Sequence, residues 1–253
     1  MLAILPVPIL KDNYVWLLHQ HGLAVVVDPG EAAPVAARLA QLNLRLAAIL
    51  ITHHHGDHTG GLAGLRAAFG CPVFGPPTVT GVDRPVAEGD RVALDDIQLR
   101  FDVMAVPGHT LDHLAYFGHG ALFCGDTLFA CGCGRLFEGS PAQMQASLAR
   151  LAALPGDTLL CCTHEYTLAN ERFARAVEPH NAALLARMEH DEACRSRGEP
   201  TLPGNLACEA ATNPFLRWSE PAVIAAARLH GALDDSPRQV FTALRRWKDD
   251  FRA

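Results

Sequence analysis

Thr52-His53-His54-His55-Gly56-Asp57-His58 packs four imidazoles and a carboxylate into seven residues, directly after the apolar run Leu46 to Ile51. A continuous apolar run of this length reads as a strand buried on both faces, the kind that sits in the parallel part of an α/β sheet. Its end delivers the cluster. Side chains alternate at a strand end, so His53 and His55 can face one metal ion, while Asp57 and His58, past the turn at Gly56, reach a second. His54 points to the other side and is not expected to be a ligand.

Around that strand, residues 1 to about 165 alternate short β-like runs with Ala/Leu helices. Strands are expected at the apolar start, at Asn13 to Leu18 and Leu23 to Val27, and at Pro72 to Phe74, Arg91 to Leu94 and Ile97 to Val106. Others follow at Leu114 to Phe117, Ala121 to Cys124 and Thr158 to Cys162, with helices at Glu31 to Leu42, Gly60 to Phe69 and Pro141 to Leu154. That is an α/β layered fold. Beyond Tyr166 only helical spacing remains, over Leu168 to Val177, Asn181 to Arg197, Pro221 to Leu229 and Pro237 to Phe251. Ser236 is the expected N-cap of the last helix and Pro237 its first residue. Gly198 to Pro214 reads as the longest loop. The expected domains are 1–165 and a small helical domain, 166–253.

Three more fragments place a metal-capable residue where a strand gives way to a loop: His109 in Val106-Pro107-Gly108-His109-Thr110, Asp126 in Phe123-Cys124-Gly125-Asp126-Thr127, and His164 in Cys162-Thr163-His164-Glu165. Strand ends are where sites gather in α/β folds. Five imidazoles and two carboxylates are too many for one tetrahedral zinc and suit two divalent ions. The expected partition is His53, His55 and His109 on one, Asp57, His58 and His164 on the other, and Asp126 bridging. Asp57 and Asp126 are the carboxylates expected to serve the chemistry. Zinc is expected first, although iron and manganese accept the same donors. Water held by such an ion deprotonates near pH 7, which makes a hydroxide nucleophile available.

Composition narrows the remaining choices. With 253 residues, 49% of them hydrophobic, the chain can bury a large core without disulfides. Its eight cysteines lack paired spacing and read as reduced. The formal net charge of -6 disfavours a broad nucleic-acid-binding surface. No run is long enough for a membrane span and the start lacks a basic leader, so a cytoplasmic monomer without nucleic-acid or membrane partners is expected.

The motif series resembles the metallo-β-lactamase superfamily, which implies an αββα sandwich over residues 1 to 165. Thr52 to His58, Gly125 to Phe129, Cys131 to Gly139 and His164-Glu165-Tyr166-Thr167 are together similar to the hydroxyacylglutathione hydrolase (glyoxalase II) family, as is Phe241 to Asp249 to its closing helix. The resemblance implies hydrolysis of S-(R)-lactoylglutathione to glutathione and (R)-lactate, the second step of methylglyoxal detoxification, by attack of a hydroxide bridging two ions. It also implies that Arg135, Phe137, Tyr166, Asn170, Arg245 and Lys248 line the glutathione pocket. Arg245 and Lys248, three apart on one helix, would grip a carboxylate. Phe137 stands where relatives often carry tyrosine, and Arg135 where they carry lysine, so affinity rather than chemistry is expected to differ. The rival readings are a persulfide dioxygenase-like enzyme with one iron and a non-catalytic metal-binding scaffold.

Overall fold

The computed structural model describes residues 1–252. Chain order runs β1 (Ala3–Ile9), β2 (Asn13–Gln20), β3 (Leu23–Val27), α1 (Ala32–Gln41), β4 (Arg45–Leu50), α2 (Gly56–Thr59), α3 (Leu62–Phe69), β5 (Val73–Gly75), β6 (Arg84–Pro85), β7 (Arg91–Leu94), β8 (Leu99–Ala105), β9 (Leu114–Gly118) and β10 (Ala121–Gly125). There follow β11 (Leu128–Phe129), β12 (Gly132–Cys133), α4 (Pro141–Ala152), β13 (Leu159–Cys162), α5 (Thr167–Val177), α6 (Ala182–Ser196), β14 (Gly204–Asn205), α7 (Leu206–Thr212), α8 (Pro221–Leu229) and α9 (Pro237–Asp250). The chain divides into two compact units. One comprises 1–105, 112–125 and 161–165, and the other 106–111, 126–160 and the residues from Tyr166 on.

In the first unit, β1 to β6 form one sheet in sequence order, antiparallel through β3 and parallel from β3 to β6. Period-2 alternation sorts its side chains. Val15, Leu17, Val26 and Ile49 pack with Val35 and Leu39 of α1 and Leu62 and Leu65 of α3. Trp16 belongs to the opposite face, its ring edge-on to Phe123 at 6.5 Å and its indole N–H donating to the Cys162 carbonyl. Phe123 stands on the second sheet, of order β13-β10-β9-β8-β7, where Phe101 meets it at 6.0 Å. The Tyr116 hydroxyl of that sheet donates to the Ile51 carbonyl. Two sheets thus face each other with helices outside the first, the α/β sandwich of the metallo-β-lactamase fold, and each fully buried large side chain between them contributes about 1.5–3 kcal/mol.

The second unit is mostly helical. A capping box of Ser140 and Gln143 with Pro141 at the first position opens α4, which packs on α9. Phe173, Phe215, Phe241, Trp247 and Phe251 form its aromatic centre. Two expectations change here. The stretch read as the longest loop contains α7, whose first turn is held by the Asn205 side chain accepting from the Cys208 amide at 2.8 Å. Ser236 stands at the N-cap of α9, but its hydroxyl donates to Asp234 instead of accepting from the helix. All eight cysteines are free thiols.

Candidate metal centre

Parallel pairing of β3 and β4 sets their carboxyl ends side by side, and each hands a short loop to the site. After β3 comes Asp28, left-handed at φ 54°, and after β4 comes Thr52. Asp28 accepts from the Thr52 amide at 2.8 Å and from its hydroxyl at 2.7 Å, which fixes where the histidine run starts. Gly30 closes the same turn. A Cβ there would stand 1.8 Å from the Asp57 carbonyl, so only glycine lets this turn lie against α2. Gly125 at the end of β10 is similar, being left-handed with Thr52 Oγ1 2.4 Å from where its Cβ would be.

Histidine orientation follows a common plan. His58 Nδ1 lies 3.0 Å from Asp28 Oδ2, and His164 Nδ1 3.0 Å from Asp12 Oδ1. In the second unit His109 Nδ1 lies 2.9 Å from the Arg135 carbonyl. An Nδ1–H given to an oxygen leaves the Nε2 lone pair for a metal. His53 contacts Thr52 Oγ1 through Nδ1 at 3.0 Å, stacks on His113 at 4.5 Å, and brings Nε2 to 3.1 Å from His55 Nδ1.

The carboxylates meet these imidazoles at one repeated spacing. Asp57 Oδ2 is 3.4 Å from His58 Nε2 and 3.4 Å from His164 Nε2, and Asp126 Oδ2 is 3.4 Å from His109 Nε2. Donors bound at about 2.0–2.1 Å to one tetrahedral ion lie about 3.3–3.4 Å apart. The donor sets therefore fit a divalent metal, and Asp57, His58 and His164 form a group with all three ligand atoms within 4.8 Å of one another. The imidazoles of His164 and then His58 beside it hold the Asp57 carboxyl far below the usual carboxylate range, against the opposing effect of burial.

Of the expected ligands, the first unit brings His53 to His55 and gathers Asp57, His58 and His164, and the second brings His109 to Asp126. His54 turns away to Asp112 at 3.0 Å. Sequence reasoning missed Asp12, Asn13 and Asp28. Asn13 Nδ2 donates to Asp57 Oδ2 at 2.9 Å and lies 3.4 Å from His164 Nε2.

The expected pocket residues all lie in the second unit and differ in character. Phe137 is 64% exposed, its ring edge-on to His109 at 5.1 Å. Tyr166 is partly exposed against Phe129, and the exposed Arg135 lies 3.8 Å from Asp249. Asn170 is buried and donates to the Ala130 carbonyl, which supports the Cys131 to Arg135 segment from behind. Arg245 is only 4% exposed, donating to the Cys133 carbonyl at 2.9 Å and to Asp249 at 3.0 Å. It and Lys248 thus do not make an open pair of cations. Lys248 donates to the Ala169 carbonyl over the Phe173 ring, and burial, then the Arg245 charge, pushes its pKa down to about 8.

Two family models match: "Metallo-beta-lactamase superfamily" over residues 10–96 and 75–164, and "Hydroxyacylglutathione hydrolase C-terminus" over 165–251. A hydroxyacylglutathione hydrolase of Cupriavidus taiwanensis is 54% identical over 266 residues, covering 100% of both chains. Among solved structures, ETHE1 from Myxococcus xanthus superposes with a TM-score of 0.68 at 24% identity, covering 99% of this chain and 90% of that one. TTHA1623 in a di-iron-bound form superposes with a TM-score of 0.56 at 29% identity, over 63% of this chain and 91% of that one.

Proposed function

Because the chain belongs to the metallo-β-lactamase superfamily, and within it to the hydroxyacylglutathione hydrolase family of thioester hydrolases, we propose that it cleaves S-(R)-lactoylglutathione and related S-2-hydroxyacylglutathiones at a centre of two divalent ions. The products are glutathione and (R)-lactate, which makes this the second step of methylglyoxal detoxification. The observation that carries the two-ion reading is the repeated 3.4 Å spacing of carboxylate and Nε2, at Asp57 and again at Asp126. The di-iron-bound relative supports it.

In this reading His53, His55 and His109 would hold one ion and Asp57, His58 and His164 the other, with Asp126 available to both. Zinc is the first choice, with iron or manganese as alternatives. When bound, such ions supply an attacking hydroxide near neutral pH and polarise the thioester carbonyl. The chain's residues do the rest. Asp28, Asp12 and the Arg135 carbonyl take the imidazole protons on Nδ1, so each Nε2 would keep its lone pair for an ion. The departing thiolate, with a pKa near 8.5, needs no proton donor, which favours a thioester over an amide.

Residues 1–165 serve as the catalytic domain and 166–253 as the substrate domain. Glutathione presents two carboxylates and an ammonium. Arg135 and Lys248 receive a carboxylate, Tyr166 and Phe137 supply ring surface, and the buried Asn170 and Arg245 hold the Cys131 to Arg135 segment in place as well as lining the pocket. The enzyme acts in the cytoplasm as a monomer, without nucleic-acid or membrane partners, in keeping with its acidic balance. Thiol release from S-(R)-lactoylglutathione, followed alongside elemental analysis of the same preparation, tests the reading. Oxygen consumption with one iron per chain would replace it with a persulfide dioxygenase, and bound metal without turnover with a scaffold.

A further inference from the structure

We infer that the pair Asp12-Asn13, where the turn after β1 enters β2, positions two ligands, Asp57 and His164, of one ion alone, that of Asp57, His58 and His164, and so separates the affinities of the two ions. The inference rests on the two-ion reading above. Two adjacent side chains, the last of the turn and the first of β2, act on two of the three ligands. Asp12 Oδ1 takes His164 Nδ1 at 3.0 Å, which sets the ring's rotation and leaves Nε2 with its lone pair. Asn13 Nδ2 donates to Asp57 Oδ2 at 2.9 Å. An amide nitrogen carries two N–H donors and no lone pair, so it satisfies one direction on that oxygen and leaves the other for a cation. Asn13 is itself buried, so its amide has little freedom to point elsewhere.

The turn is clamped to the strand end that carries His164. Asn13 and His164 form an antiparallel bridge, the Tyr14 amide donates to the Thr163 carbonyl at 2.7 Å, and the Glu165 amide donates to the Asp12 carbonyl at 2.8 Å. The Tyr14 hydroxyl adds a bond to Glu165 Oε2 at 2.9 Å. Backbone bonds on both sides of His164 thus place the Asp12 carboxylate and the Asn13 amide as one rigid piece. Different groups orient the ligands assigned to the other ion: Thr52 and His113 meet His53, and the Arg135 carbonyl meets His109.

The test compares the full-length wild-type chain with Asp12→Ala and Asn13→Ala, each loaded with Co(II) or Zn(II) and dialysed against graded chelator. Metal per chain and the Co(II) absorption bands are read at each step, with circular dichroism to confirm folding. The expected wild-type result is two ions. In each variant one equivalent leaves at about 10- to 100-fold lower chelator concentration, with loss of one Co(II) band, while the other equivalent keeps its wild-type midpoint. Asp12→Glu, which keeps the acceptor, restores most of the lost affinity. If either alanine variant does not fold, Asp12→Asn and Asn13→Ser carry the same comparison with smaller changes of volume. Parallel weakening of both ions, or no change in either, overturns this inference and leaves the two-ion reading standing. A wild-type chain that binds a single ion overturns both.

Discussion

His58 and Asp28 form a fully buried pair, Nδ1 to Oδ2 at 3.0 Å, and the same carboxylate also takes the Thr52 amide and hydroxyl. One side chain at the end of β3 therefore fixes both where the histidine run leaves β4 and how its last member is turned. Asp28→Asn, which tolerates the left-handed backbone, is expected to keep the fold but weaken metal binding about 10- to 100-fold. Asp28→Ala strands buried donors and is expected to cost about 3 kcal/mol or more as well. Urea denaturation and metal titration of the two variants separate these effects, and equal behaviour of both would contradict the double role.

Gly30 tests the close approach of the same turn to α2. An added methyl would overlap the Asp57 carbonyl, which is backbone and cannot swing aside. Gly30→Ala is expected to cost about 3 kcal/mol or more and to lower metal occupancy with it. An unchanged urea midpoint would show that the turn can give way.

Glu171 in the helical unit predicts a pH dependence of stability. Burial, and then Asp191 beside it, push its carboxyl up from 4.5 to about 8, with Arg187 opposing at 3.7 Å. Between those two values the folded chain keeps a proton that the unfolded chain has released. The contribution is fully present below 4.5 and is lost as pH rises through about 8. Glu171→Gln imitates the protonated form, so it is expected to flatten this fall and to be more stable than wild type at pH 8, by about 1–3 kcal/mol. Parallel stability-versus-pH curves for the two proteins would contradict the assignment.

Lys248 carries the proposed grip on glutathione. With its pKa pushed down to about 8, it loses its charge as pH rises through that value, and KM for the anionic thioester is expected to climb across the same range. Lys248→Arg should keep KM flat there, and Lys248→Met should raise it roughly 10- to 100-fold at pH 7 through loss of a charge-assisted bond. A Lys248→Met enzyme with wild-type KM would move the substrate elsewhere.

Much of this architecture is legible in residue order, for identifiable reasons. Leu46 to Ile51 reads as a buried strand because it is continuous and apolar, and the helices after Tyr166 read from long 3.6-residue periods. Helix α7 spans only Leu206–Thr212, too short for a period to emerge among flanking prolines. Asp12, Asn13 and Asp28 escape notice because an aspartate or asparagine at a strand end looks like ordinary turn chemistry. Asp28 had a signal nonetheless, since Leu23 to Val27 is an apolar run ending in Asp28-Pro29-Gly30, a weaker copy of the strand-end pattern that exposes the histidines. Spacing alone puts Arg245 and Lys248 on one face. Yet Arg245 lies one turn past Phe241, inside the buried stripe Val240, Phe241, Ala243 and Leu244, where helical geometry turns it inward.

Hydrolysis of S-(R)-lactoylglutathione by one preparation, measured as isolated, after exhaustive chelation and after readdition of zinc with metal counted at each stage, bears most directly on the whole account. The predicted course is about two ions per chain with full turnover, loss of turnover as the ions leave, and recovery on their return. Undiminished hydrolysis by metal-free protein would contradict it.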